Sequence, residues 1–215
     1  MPYTVTISID STGVSNIYAA NQYVTFLRNV TAWVQSGPAA VHQLQLVTMP
    51  VTTAWLAFQP YQSNTITWTD SSNVYATSSP LQAFQQIGIL SQTAAQAGLT
   101  YPFQQAQFGS PSSNNTGAYE VSNQQSNGLA FGLSATASVN NVNVTAPFNA
   151  VSVLNNQIGV FMPTDTVTIL LTSCSTSGTI IPQLGGGLVV SLSGSSPSVS
   201  VGFNDTTNSF YVSSS

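Results

Sequence analysis

The chain has 215 residues, 42% apolar and 10% aromatic, yet only 3% are charged: Arg28 against Asp10, Asp70, Glu120, Asp165 and Asp205, with no lysine. Soluble domains usually carry about 25% charged residues. Such a deficit excludes nucleic-acid binding, which needs several Lys or Arg on phosphates, while ten Phe, eight Tyr and three Trp exclude a disordered chain.

The length suits one all-β domain over residues 1–215, a jelly roll or related antiparallel β-sandwich with one short helix. Its first ten residues, MPYTVTISID, lack the basic and apolar regions of a secretory signal, and no run reaches the length of a membrane span. They alternate, with Tyr3, Val5, Ile7 and Ile9 on one face, as a half-buried strand does. The turn-rich STGVSN behind it makes residues 1–10 either a first strand or one donated to a neighbouring subunit.

A long strand over Tyr23 to Gln35 sets Val24, Phe26, Val30, Ala32 and Val34 on one face, together with Arg28. A buried guanidinium requires a bulge to turn it outward or a carboxylate to meet it, Glu120 or an Asp. Further apolar runs cover Val41 to Met49 and Val51 to Phe58, and a short hairpin is predicted around TDSSN between Thr65 and Ala76. Ser79 as N-cap, Pro80, a stripe of Leu81, Phe84, Ile87, Leu90 and Ala94, and Gly98 as C-cap predict a helix over about residues 80–97. Residues 102–127 turn polar and read as a long loop region flanking a strand at Ala118 to Ser122. Short strands then follow to Val212, densest between Asp165 and Phe203, with turn signals at the spacing of sandwiches.

Chemistry-bearing residues are few. Cys174 lies in TSCSTSG and reads as a small packing residue, and His42 has no acidic neighbour or second His. No metal or cofactor is expected. The glycine run LGGGL at 184–188 lacks the Lys and helix of a phosphate cradle. Acid-protease chemistry would need a D-T-G signature, which is missing, or a Gln–Glu dyad, for which Gln92 and Glu120 are the available pair; the expectation is no enzyme. N-x-S/T sequons stand at Asn29, Asn114, Asn143 and Asn204, so glycans are candidate modifications. Aromatic and amide-rich stretches at 101–108 and 202–211 offer a lectin-like alternative.

This composition, poor in charge and rich in Ser, Thr, Asn, Gln and Tyr over the whole chain, resembles that of external proteins of acid-dwelling thermophilic archaea and their viruses. The resemblance implies a structural subunit of an extracellular assembly: a capsid, penton or turret protein in a virion, or else a surface-filament subunit joined by donated strands. Expected partners are copies of the chain and other coat or filament proteins, in an acidic extracellular or cell-surface setting. With so few titratable groups, the fold is expected to persist to about pH 2.

Overall fold

The computed structural model describes residues 2–36, 44–45, 51–182 and 186–213. Among them, β1 (Tyr3–Ser8) leads into a single helix α1 (Ser11–Ala19) and then the long β2 (Tyr23–Ser36). Short strands follow: β3 (Leu44–Gln45), β4 (Val51–Ala54), β5 (Leu56–Phe58), β6 (Ser63–Trp68), β7 (Ser72–Thr77), β8 (Ser91–Ala95), β9 (Leu99–Gln104), β10 (Gln107–Phe108), β11 (Ser112–Ser113) and β12 (Tyr119–Asn123). The second half holds β13 (Leu129–Val139), β14 (Val142–Pro147), β15 (Asn149–Val153), β16 (Gln157–Thr172), β17 (Thr179–Ile180), β18 (Leu188–Ser191), β19 (Ser198–Asn204) and β20 (Ser209–Val212).

These strands form two sheets. An eleven-stranded sheet runs β17-β4-β15-β13-β6-β1-β19-β20, with β14 and β7 also on β13 and β8 on β7. The nine-stranded sheet runs β10-β9-β12-β16-β2-β3, with β11 on β9, β18 on β16 and β5 on β2. Strand alternation turns Val5, Ile7, Ile66, Phe131 and Leu133 of the first sheet and Val24, Phe26, Phe103, Val121 and Phe161 of the second into one common core. Each such side chain stabilises the fold by about 2 kcal/mol through burial. The all-β, two-sheet expectation holds, but the sheets are mixed: β1 pairs parallel with β19 and β12 parallel with β9.

Residues 3–8 take the place of a first strand. β1 pairs antiparallel with β6 and parallel with β19, so both its edges are filled by its own chain, and Val5 and Ile7 are buried. The donated-strand face of Tyr3, Val5, Ile7 and Ile9 is thus spent inside the subunit. The STGVSN that follows is the helix α1, not a hinge: Asp10 is its N-cap, accepting from the Gly13 N–H at 2.7 Å, and Ile17 is buried beneath it.

The helix predicted over residues 80–97 is absent. Residues 78–90 are mostly irregular and residues 91–95 form β8 against β7. The stripe fails because its members do not share a face: Ile87 is buried, whereas Phe84 and Leu90 are exposed. With no charged i,i+4 pairs, local helicity is weak, and backbone bonds from Phe84 N–H to Ile180, Ile87 N–H to Gly178 and Leu90 N–H to Ala76 hold the segment on the eleven-stranded sheet. Gly98, predicted as a C-cap, sits at φ +85 in the turn between β8 and β9.

The loop region predicted over 102–127 is also partly strand. Pro102 to Gln104 complete β9, β10 and β11 pair back onto it, and β12 lies within one residue of the expected strand. Between Val139 and Val142 a two-residue Asn140–Asn141 turn, both at positive φ, makes the β13–β14 hairpin.

Candidate functional site

The TDSSN stretch is not a hairpin. β6 and β7 lie in line along one edge of β13, Trp68 opposite Ala137 and Asn73 opposite Ser134, so Thr69–Ser72 stand against only Ala135 and Thr136. This kink, a bulge in a continuing edge, pushes side chains out to both sides. One side carries Asp70 to Arg28; the other opens a groove.

Arg28 stays on the core face of β2. Opposite it β16 bulges, since Pro163 pairs with Val30 and Val167 with Arg28, leaving Thr164–Thr166 against Asn29 alone. The Arg28 guanidinium lies 3.7 Å from Asp70, 4.9 Å from the Phe148 ring centroid and 5.7 Å from that of Trp55. Tyr3 donates its hydroxyl to the other Asp70 oxygen at 3.1 Å. Arg28 is 8% exposed, and its Nη1 has no partner among the described residues. Burial lowers its pKa from the usual guanidinium value, with the Asp70 charge opposing that shift.

The carboxylate that meets Arg28 is therefore Asp70, and Glu120 is elsewhere. Glu120 is buried on β12 directly across from Thr100 of β9, accepting from Thr100 Oγ1 at 2.5 Å and Thr116 Oγ1 at 2.8 Å. Strand alternation puts Tyr119, not Glu120, on the side that feels the Arg28 charge. Gln92, the other half of the candidate dyad, accepts from Ser134 Oγ and shares no partner with Glu120.

Cys174 packs with Leu27, Ala54, Leu170 and Ile181, its thiol directed to the Thr176 carbonyl. His42, the run Val41 to Met49 apart from Leu44 and Gln45, and residues 184–185 of the glycine run lie outside the described residues, while Leu44–Gln45 pair as β3 with β2. The sequons divide by environment. Asn143 and Asn204 are exposed, whereas Asn29 donates its amide to Thr166 Oγ1 and Asn114 donates its own to the Ala118 carbonyl. Among the described residues, no group of three or more His, Cys, Asp or Glu side chains is placed to hold a metal ion.

The groove on the far side of the kink encloses about 630 Å³. Thr69, Ser71, Ser72 and Asn73 line it together with Thr93 to Gln96 at the end of β8, which pairs with β7, and with Leu99, Tyr101 and Pro111. The aromatic rings expected to be free for sugars are largely inward: Phe103 packs edge-on against Phe108 and Phe131, Phe203 lies tilted against Phe210, and only Tyr211 of these stretches is well exposed. Nothing in a sequence reading that placed a turn at TDSSN finds this groove; the flanking buried Trp68 and Val74, which continue one edge of β13, were the available signal. Comparison of the chain with protein-family models, with curated proteins and with solved structures finds no match.

Proposed function

We propose that the chain is a structural subunit that self-associates through uncharged β surfaces in an extracellular assembly, with a virion coat as the leading setting. The observation that carries this reading is Phe84. It is 68% exposed, yet its backbone is held at φ +66 by the Phe84 N–H donating to the Ile180 carbonyl at 2.6 Å and the Ile180 N–H donating to Gln85 at 2.9 Å. A bulky residue in the left-handed region costs about 1 kcal/mol or more, and a ring left mostly in water recovers little of that inside the monomer. Burial against a second copy would return about 2 kcal/mol. Leu90, on the same segment, is also exposed, at 52%.

With 3% charged residues and a net charge of -4, like-charge repulsion between copies is small, and contact rests on apolar area and hydrogen bonds. The finer topology we attach to this reading is a jelly-roll-derived sandwich elaborated by short strands. The filament alternative draws no support from β1, whose edges are both occupied. Phe84→Gly tests the proposal: the variant keeps or slightly raises its melting temperature, because Gly tolerates positive φ, and loses assembly in light scattering and electron microscopy. A wild-type chain that stays monomeric at every concentration, or a variant that assembles as well as wild type, overturns the reading.

A further inference from the structure

Residues 124–128 join β12 to β13 and belong to neither strand. Their main chain is pinned upstream, where the Gln124 N–H donates to the Phe103 carbonyl at 2.9 Å and the Gln125 N–H to Asn123 Oδ1 at 3.0 Å. At the downstream end Asn127 is exposed, and its side-chain amide makes no hydrogen bond among the described residues. The Gly128 N–H beside it has no acceptor among them either. Asn127–Gly128 is the only Asn-Gly pair in the 215 residues.

A bond from the Gly128 nitrogen to Asn127 Cγ would close a five-membered ring. Glycine puts no Cβ beside the attacking nitrogen, and a bend outside the ladder leaves that nitrogen free to approach. Asn143 and Asn204 are also exposed but lack this combination. Asn143 lies in β14 opposite Ser138 and precedes β-branched Val144, while the Asn204 Oδ1 is held by the Thr206 and Thr207 N–H groups.

We propose that Asn127 is a site of spontaneous deamidation, in which water is the only co-reactant. The Gly128 nitrogen gives up its proton and bonds to Asn127 Cγ; the Cγ–Nδ2 bond breaks, and Nδ2 departs with that proton as ammonia, leaving a cyclic imide. Water then opens the ring, its oxygen entering a new carboxyl group while a proton returns to the Gly128 nitrogen. Cleavage between Cγ and that nitrogen gives an aspartate at position 127. Cleavage at the Asn127 main-chain carbonyl gives isoaspartate, with the main chain running through Cγ. No electrons are exchanged in either step.

Both products take the chain one unit below its formal charge of -4. Isoaspartate also lengthens the main chain by one carbon and converts the Asn127 carbonyl into the new carboxylate. That carbonyl accepts at 3.1 Å from Nδ2 of Asn123, which is fully buried and donates to the Val153 carbonyl at 2.8 Å as well. The strap between β12 and β13 is loosened as a result. Because the attacking nitrogen must lose its proton, hydroxide speeds the reaction. An acidic medium therefore preserves Asn127, and a neutral or alkaline one consumes it.

Peptide mass spectrometry and isoelectric focusing of the full chain, held at one temperature at about pH 5 and about pH 8, test this. A gain of about 1 Da appears on the peptide carrying position 127, at least about tenfold faster at the higher pH. It is split between aspartate and isoaspartate, and the protein shifts to a more acidic band. The isoaspartate form melts about 2–4 °C lower. Gly128→Ala slows the gain about tenfold by hindering the approach to Cγ. Its added Cβ would lie 3.1 Å from Leu154 Cδ2, the end of an exposed side chain that can move aside, and circular dichroism checks the fold. Asn127→Gln removes the gain at this position. The proposal is overturned if position 127 gains no mass at about pH 8, if the rate is the same at both pH values, or if Gly128→Ala leaves it unchanged.

Discussion

Arg28 is a cation held inside a protein that otherwise avoids charge. Its attraction to Asp70 at 3.7 Å and to the faces of Phe148 and Trp55 offsets a desolvation cost, but one guanidinium nitrogen is unpaired among the described residues. Because the Asp70 side chain is 66% exposed, solvent screens the pair and its net contribution is about 1 kcal/mol. Arg28→Met, which keeps the packing of the stem, is expected to leave stability unchanged or raise it by about 1 kcal/mol. Asp70→Asn, which leaves the cation buried without its counter-charge, is expected to lower it by about 1 kcal/mol. Thermal unfolding of the two variants decides this; a loss of several kcal/mol in Arg28→Met would make Arg28 the keystone of the sandwich. That Arg28 faces the core and needs a carboxylate followed from alternation in β2, but the choice of Asp70 did not, because it depends on a bulge across two strands far apart in sequence.

At the scale of elements, β13 organises the larger sheet, with β6 and β7 along one edge and β14 and β15 along the other. Where the second pair meets, Gly132 lets β15 come close: an added Cβ would sit 2.0 Å from the Asn149 carbonyl, which also accepts the Tyr75 hydroxyl at 2.7 Å. Gly132→Ala is therefore expected to cost about 3 kcal/mol, whereas Gly194→Ala, with open space around it, stays within about 0.5 kcal/mol of wild type. Equal unfolding midpoints in denaturant would contradict the close approach. Strands with strong alternation or dense β-branched runs, such as β1, β2, β19 and β20, were readable from the sequence because their signal is local. The 80–97 segment was not, since its apolar spacing matches a helix while its hydrogen bonds go to Ile180, Gly178 and Ala76. α1 escaped for the converse reason: Ser11, Thr12 and Gly13 are poor helix formers, and the Asp10 cap together with buried Ile17 outweighs them. The groove, set by the register shift after Trp68, had no local signature at all.

For the whole molecule, scarcity of charge governs how stability and association respond to solvent. Five carboxyl groups in 215 residues leave little to titrate in acid. The alkaline side differs: burial pushes the Tyr75 phenol far up and that of Tyr119 up as well. A phenol whose folded pKa lies above its unfolded value stabilises the fold fully below that unfolded value, about 10, and the benefit is lost as pH rises past it. Unfolding midpoints are expected to be nearly flat from about pH 2 to about pH 9 and to fall above about pH 10, and a cooperative acid transition near pH 4 would refute this.

Self-association through uncharged, partly apolar surface is the central claim, and salt tests it directly, because screening acts on charges and leaves apolar burial intact. Light scattering of wild type and Phe84→Gly between about 0.01 M and about 1 M salt is expected to show wild-type assemblies of constant size and a monomeric variant of unchanged fold. Wild-type assemblies that dissolve as salt rises, or a variant that assembles normally, would contradict the account.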